Sequence, residues 1–90
     1  MLPGFSLVIP AYNEAQRVRE TLTEVLAYLR AESPSSEVIV VDDGSSDGTA
    51  KVVREVFDAA TDLATRLLCR TPNEGKGSAV RAGLLAAARN

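Results

Sequence analysis

The sequence predicts an α/β fold built on a parallel sheet, and two observations support that prediction. Short runs of apolar, often β-branched residues alternate with longer segments of helical periodicity, in the order βαβαβα. The run Val38–Val41 is typical of a strand that is buried on both faces, as parallel strands are. Because crossovers between parallel strands are right-handed, we expect the strand order 3-2-1 with the second strand in the centre.

The first strand is predicted over Phe5–Ile9, and Pro10 is expected to end it because proline cannot donate a hydrogen bond to a sheet ladder. A helix is then predicted from about Ala15 to Glu32. Its apolar residues recur at spacings of three and four, which predicts one buried stripe: Val18, Leu22, Val25, Leu26 and Leu29. Val38–Val41 forms the second strand.

The second half of the chain continues the alternation. A helix is predicted over Asp47–Ala60, with a buried side made of Val52, Val53, Val56, Phe57 and Ala60. Arg66–Arg70 is the third strand. A third helix is predicted to begin near residues 77–78 and to reach Asn90, with an apolar side made of Ala79, Val80, Leu84 and Ala87.

Composition limits the class of protein. A length of 90 residues, with 46% hydrophobic and 24% charged residues, predicts a single globular domain over residues 1–90, whole or part of a larger one. A net charge of −2 does not indicate nucleic-acid binding. The chain has no histidine, the commonest general base. Cys69 is the only cysteine, which favours a reducing compartment, so the cytoplasm or the cytoplasmic face of a membrane is expected.

Polar residues follow all three strands, at the sheet edge where α/β folds bind ligands. These loops are Tyr12–Glu14, Asp42–Ser45 and Asn73–Ser78. Each has a local explanation, as a helix cap, an Asx-turn or a helix entry. However, two adjacent carboxylates without a neighbouring base are costly unless they bind something or stay hydrated. The three loops together therefore favour a ligand site.

The segment Gly75–Gly77 is not a Walker-type phosphate loop. That loop requires a glycine five residues before the Gly-Lys pair and Ser or Thr after the lysine, whereas Arg70 and Gly77 stand there. The dinucleotide fingerprint Gly-x-Gly-x-x-Gly is also absent after the first strand. What remains is a lysine beside backbone N–H groups at a helix start, which suits an anionic group.

Three motifs, in this order, resemble the beginning of a family 2 glycosyltransferase: LVIPAYNE over residues 7–14, VVDDGSSDGT over residues 40–49 and NEGKGSAVRAG over residues 73–83. The third motif is similar to that of the polyprenyl-phosphate branch, the dolichyl-phosphate glucosyl- and mannosyltransferases. The resemblance covers nearly the whole chain. It implies the Rossmann-like half of a GT-A fold, a UDP- or GDP-sugar donor, and inverting transfer to an acceptor, which in this branch is a polyprenyl or dolichyl phosphate.

The resemblance also implies which residues contact the donor. Carried over by position, they are Pro10, Ala11, Tyr12, Glu14, Asp42, Asp43, Gly75, Lys76, Gly77 and Arg81. Those of the first motif would line the nucleoside pocket, and the two aspartates would accept hydrogen bonds from the base or ribose. Those of the third motif would lie near the donor, although Arg81 is equally interpretable as a solvated helix residue.

The family's metal-binding Asp-x-Asp motif follows a later strand, and Asp42-Asp43 is not that motif. A divalent metal, magnesium or manganese, is therefore expected to have its ligands beyond residue 90, as are the acceptor site and the catalytic base. We expect the chain to be the nucleotide-binding front of a catalytic domain, without catalytic residues of its own. Two alternatives remain: a non-catalytic nucleotide-binding module, and a sugar-nucleotidyltransferase, although Ala11–Glu14 lacks the glycine- and arginine-rich loop usual in that class.

The first strand is also expected to present an open edge. In the resembled fold a fourth strand, from beyond residue 90, pairs with it. Without that strand, Phe5–Ile9 would offer unpaired N–H and C=O groups, and Ser6 is the sole polar residue in the run. Such an edge is a template for pairing with another chain, so we expect self-association through it.

Overall fold

The computed structural model describes residues 3–70 and 84–87. Strands and helices alternate along the first of these segments, which confirms the predicted α/β class. The elements are β1 (Ser6–Ala11), α1 (Ala15–Glu32), β2 (Glu37–Asp43), α2 (Thr49–Ala59) and β3 (Ala64–Arg70). Residues 84–87 are helical.

The three strands form one parallel sheet in the order β1-β2-β3. The second strand is therefore central, and the predicted order 3-2-1 is confirmed. At the carboxyl end of β2, Asp42 lies opposite Ala11 of β1, and Asp43 lies opposite Arg70 of β3. The register thus brings the ends of all three strands to one edge of the sheet.

Both crossover helices pack on the same face of the sheet. Val38 and Val40 of β2 belong to that core, which is completed mainly by Val18, Leu22, Leu26, Leu29, Val53, Val56 and Phe57. Ile39 and Val41 point to the opposite face, where they pack against Val8, Leu68 and Ala87. All four β2 side chains are fully buried, and burying such a side chain contributes about 1.5–3 kcal/mol. The central strand is therefore anchored from both sides, as its sequence predicts.

β1 continues through Pro10 and Ala11, so the prediction that Pro10 ends the strand is wrong. The Phe5 carbonyl accepts a hydrogen bond from the Glu37 N–H of β2, at 2.8 Å. Peptide groups of alternate residues in a strand point to the same side, so those of Pro10 point away from β2. Pairing with β2 therefore needs no N–H at position 10, which is why an edge strand tolerates proline there.

Residues 84–87 are the part of the third predicted helix that the structure describes. Ala87 packs against the second face of the sheet, as expected for the apolar side of that helix. Leu84 is 57% exposed, so its placement on the buried side is wrong. Leu84 lies about one turn before Ala87, and the contact with the sheet includes Ala87 but not Leu84.

Candidate functional site

Two buried carboxylates end the central strand. Asp42 and Asp43 are the last residues of β2, not the first residues of the following loop as predicted, and they are 4% and 3% exposed. Strand alternation places Asp42 on the face covered by α1 and α2, and Asp43 on the other face. The Asp42 carboxylate accepts a hydrogen bond from the Ser45 hydroxyl. Hydration therefore does not explain this acidic pair, whereas hydrogen bonding within the site accounts for Asp42.

The loop after β1 lies beside this strand end. Tyr12 is 40% exposed, so its ring is available at the sheet edge. Asn13 adopts the left-handed region with φ of 51°, which asparagine tolerates better than most residues. Glu14 is the N-cap residue that precedes α1: its carbonyl accepts from the Val18 N–H at 2.8 Å, and its carboxylate pairs with Arg17 at 3.0 Å.

Asn13 is hydrogen-bonded to the β2–α2 loop through both its backbone and its side chain. Its N–H donates to the Ser45 hydroxyl at 2.8 Å, and its Oδ1 accepts from the Ser46 N–H at 2.9 Å. The two loops are thus joined to each other rather than being separate turns. The predicted convergence of the first two loops is confirmed, whereas the third, Asn73–Ser78, lies outside the described residues.

A second set of bonds joins the amino ends of α1 and α2. Thr49, fully buried, accepts from the Glu14 N–H at 2.9 Å and donates to the Asp47 carboxylate. Asp47 also accepts from the N–H groups of Ala15 and Thr49, both at 3.1 Å. One carboxylate thereby satisfies an orphan donor at the start of each helix, where negative charge is favoured.

The Asp47 carboxylate is held in its charged form by these donors. The hydrogen bond from the Thr49 hydroxyl, with further bonds from backbone N–H groups, keeps the pKa of Asp47 below its ordinary value despite some desolvation. Asp47 is nevertheless an exposed residue. Its charge therefore belongs to the structure of the loops, which distinguishes it from the buried pair at the end of β2.

An open depression of about 300 Å³ lies between the end of β1 and the start of α1. Its walls are Ile9, Pro10, Ala11, Glu14, Arg17, Val18 and Thr21. Three residues predicted to line a nucleoside pocket therefore share one cavity: Pro10, Ala11 and Glu14. Tyr12 lies at the same edge but does not line it, and Asp42 and Asp43 lie beneath the surface. Gly75, Lys76, Gly77 and Arg81 lie outside the described residues.

The structure adds to the site four residues that the sequence motifs did not indicate as site residues: Asn13, Ser45, Asp47 and Thr49. We call them the loop-bridging cluster. Ser, Thr, Asn and Asp beside a helix start indicate helix capping, so the sequence predicts hydrogen bonds for them only within their own loop. Their actual partners lie across the two loops, 32 to 35 positions away in sequence, which a capping pattern does not predict.

The sequence profile described as Glycosyl transferase family 2 matches residues 6–89. The match spans both bridged loops and the whole described sheet. The chain belongs to glycosyl transferase family 2. This confirms the family inferred from the three motifs.

Several curated family members are similar to this chain. The dolichyl-phosphate beta-glucosyltransferase of Trichomonas vaginalis is 45% identical over 85 residues, which is 89% of this chain and 25% of that protein. The enzyme of the same name from Homo sapiens is 39% identical over 84 residues, 88% of this chain and 26% of that protein. The chain thus spans about a quarter of the length of the curated relatives it matches.

A solved structure shares the fold. It is a mannosyltransferase from Pyrobaculum calidifontis in complex with GDP-Man and Mn²⁺, with a TM-score of 0.84 and 34% identity. The match covers 92% of this chain and 24% of that protein. The Rossmann-like half of a GT-A fold, inferred for this family 2 chain from its motifs, is therefore confirmed.

Metal binding is not explained by the part of this family 2 chain that the structure describes. Within residues 3–70 and 84–87, no three side chains of His, Cys, Asp or Glu come together as a metal site. Asp42 and Asp43 point to opposite faces of the sheet, so they do not chelate one ion. Within the same ranges, no helix is both long and apolar enough to cross a membrane.

Proposed function

We propose that this chain is the nucleotide-binding part of a glycosyltransferase that transfers a sugar from a UDP- or GDP-sugar to a polyprenyl or dolichyl phosphate. Family membership, the names of the similar proteins and the GDP-Man in the mannosyltransferase complex support this proposal. Because the chain covers only about a quarter of those relatives, the activity belongs to the whole gene product.

The observation that carries the proposal is the shared edge of β1 and β2. The depression beside Pro10 and Ala11 is open, and the exposed ring of Tyr12 lies at the same edge. Asp42 and Asp43 end the neighbouring strand and supply carboxylate oxygens that accept hydrogen bonds. A nucleoside has a flat base for the aromatic ring and base or ribose donors for a carboxylate.

The residues of this chain would act by binding and orienting the donor. In an inverting transfer, an acceptor oxygen attacks the anomeric carbon while the bond from that carbon to the diphosphate breaks, and the nucleoside diphosphate leaves. Holding the nucleoside fixes the anomeric carbon in place for that attack, and this positioning contributes to the rate of transfer. Gly75, Lys76, Gly77 and Arg81 are proposed to contact the donor from the third motif.

Further features of the whole protein follow as proposals. A divalent metal, magnesium or manganese, would bind residues beyond residue 90, and the Mn²⁺ of the mannosyltransferase complex supports the need for such an ion. Residues 1–90 would form one nucleotide-sugar-binding unit. The free thiol of Cys69 favours a reducing compartment, and a lipid phosphate acceptor favours the cytoplasmic face of a membrane.

Self-association through β1 is a separate proposal. Within the described residues β1 pairs with β2 on one side, and its other side carries outward peptide groups. Beside that edge lies an apolar groove of about 370 Å³ that includes Phe5 and Tyr28, 41% and 53% exposed. An open strand edge next to exposed apolar side chains favours pairing with a second copy.

The test uses the whole gene product. Calorimetric titration with UDP, GDP and ADP measures nucleoside binding, with ADP as the matched control. Release of nucleoside diphosphate is then followed with UDP-glucose or GDP-mannose, Mn²⁺ and dolichyl phosphate. We expect binding of UDP or GDP, and turnover that depends on the lipid phosphate. Binding without turnover would instead indicate a non-catalytic nucleotide-binding module, and absence of binding would overturn the proposal.

A further inference from the structure

The loop-bridging cluster connects the proposed nucleoside contacts without containing them. The Ser45 hydroxyl makes the central connection, because it accepts from the Asn13 N–H at 2.8 Å and donates to the Asp42 carboxylate. A single side chain therefore fixes the backbone of the β1–α1 loop relative to a buried carboxylate at the end of β2. Removing that hydroxyl frees both groups at once.

Asn13, which is bonded to Ser45, lies in the loop that carries the proposed nucleoside contacts. It stands between Tyr12 and Glu14, and its left-handed backbone sets the direction in which the chain leaves β1. Asparagine tolerates that conformation better than most residues but still prefers the right-handed region, so contacts that restrain it help to fix the loop. The bonds of Asn13 to Ser45 and Ser46 are the observed restraint.

Asp47 and Thr49 complete the restraint from the helix side. They hold the N–H groups of Glu14 and Ala15, which directly follow Asn13. The β1–α1 loop is thus bonded to the β2–α2 loop at three successive residues, Asn13, Glu14 and Ala15. Each donor is a backbone N–H and each acceptor a side-chain oxygen, so the separation of the loops depends on these side chains.

We propose that Asn13, Ser45, Asp47 and Thr49 are positioning residues that hold Tyr12 and Asp42 at the separation a nucleoside needs. This inference rests on the proposed function, because it concerns the same site. It goes beyond that function by assigning nucleotide affinity to side chains that do not touch the nucleotide. A cluster that merely stabilised the fold would change the melting temperature and leave the affinity of the folded protein unchanged.

The test compares Ser45→Ala with Ser45→Thr in the whole gene product. The alanine variant loses both bonds of the hydroxyl, whereas the threonine variant keeps the hydroxyl and should restore function. Ser6→Ala is the matched control, since the Ser6 hydroxyl also bridges β1 and β2, to Glu37 at 3.2 Å, but at the opposite end of the strands. Calorimetry with UDP and GDP, well below the melting temperature, gives the dissociation constants. Amide hydrogen exchange at Asn13, without nucleotide, reports the restraint itself.

For Ser45→Ala we expect a dissociation constant raised about tenfold or more, as for loss of one charge-assisted hydrogen bond, with faster exchange at Asn13. Ser45→Thr and Ser6→Ala should stay close to the unmodified protein in both measurements. If Ser45→Ala fails to fold, Asn13→Gly replaces it, because glycine permits the left-handed backbone while the Oδ1 acceptor for the Ser46 N–H is lost.

Three results would overturn the inference. Unchanged affinity in the folded alanine or glycine variant would show that the cluster is structural, while the proposed function stands. Unchanged exchange at Asn13 in Ser45→Ala would show that the hydroxyl does not restrain the loop. Absence of UDP and GDP binding by the unmodified protein would overturn the proposed function, and the inference with it.

Discussion

Asp43 is a buried residue that is also proposed to contact the nucleoside. It is 3% exposed at the end of β2, and we expect it to accept a hydrogen bond from the base or ribose. Asp43→Ala should therefore weaken nucleotide affinity more than it weakens folding. Loss of a hydrogen bond to a charged group costs about 1.5–3 kcal/mol, roughly a tenfold to hundredfold change in dissociation constant. Calorimetry and thermal unfolding of the same preparation measure the two effects.

Asp58→Ala provides the matched control for that experiment. Asp58 is an exposed aspartate on α2, and its removal changes the net charge by the same amount. The affinity of the Asp58→Ala variant for UDP and GDP should equal that of the unmodified protein. Equal affinities in all three proteins would reject the assignment of Asp43 to the nucleoside site.

The stabilisation that the Asp47 carboxylate gives to the two loops is expected to decrease at low pH. Its bonds to Thr49 and to backbone N–H groups lower the pKa of the carboxyl in the folded protein. A lowered pKa means that the stabilisation is complete above about pH 4, the ordinary range of an aspartate, and is lost as pH falls through the lower folded value. We expect the melting temperature of Asp47→Asn to lie below that of the unmodified protein at pH 6, with the difference shrinking below pH 4.

The comparison between variants at each pH is essential for that measurement. A bond to the Arg30 guanidinium likewise lowers the pKa of Asp62, so acid weakens a second contact in both proteins equally. Only the difference between the two melting curves reports Asp47. A difference that stayed constant from pH 6 to pH 2.5 would contradict the role of its charge.

At the level of elements, the start of α2 depends on a glycine. Gly48 precedes the helix with φ of 87°, and a Cβ built there would meet nothing within 4 Å. Gly48→Ala should therefore destabilise the protein by backbone strain alone, by about 1 kcal/mol. Gly48→Asn is the control, because asparagine tolerates this conformation and should cost less. Urea unfolding gives both values, and an alanine variant as stable as the original would contradict the explanation.

The bounds of a helix or strand were predictable from the sequence where local signals, such as apolar periodicity and proline, determine them. The bounds of α1 agree with the structure because its apolar stripe and the break at Pro34 are local signals. β2 is longer than predicted because Asp42 and Asp43 end the apolar pattern but not the strand. β1 passes through Pro10 because the edge position, a tertiary property, decides whether an N–H is needed.

The candidate site was predictable in its location but not in its internal connections. Three loops at one sheet edge follow from parallel topology, and the structure joins the two that it describes. The bonds of Asn13 and Thr49 could not be anticipated, since short polar residues beside helix starts have many possible partners. The hydrogen bond from the Ser45 hydroxyl to Asp42 likewise depends on how the following loop folds back toward the strand end.

At the scale of the whole molecule, the described sheet has unequal sides. α1 and α2 cover one face, while ion pairs from Arg19 to Glu55 and from Arg30 to Asp62 link α1 to the segment from α2 to β3. Such exposed pairs contribute little energy, so the core supplies most of the cohesion. At the β1 edge, in contrast, the outward peptide groups of Ser6 and Val8 have no strand beside them within the described residues.

The open edge of β1 is expected to pair with a second copy of the chain. Residues 1–90, purified alone, should associate through β1 in a concentration-dependent way, which sedimentation equilibrium at several concentrations measures. Val8→Pro removes one outward N–H without removing a bond to β2, so it should weaken the association. Val8→Thr is the matched control, because it keeps the N–H and the branched shape and should associate like the original. A monodisperse monomer that unfolds cooperatively would show that this edge is satisfied within the chain itself. Equal association of the proline and threonine variants would instead place the contact on another surface, such as the apolar groove beside Tyr28.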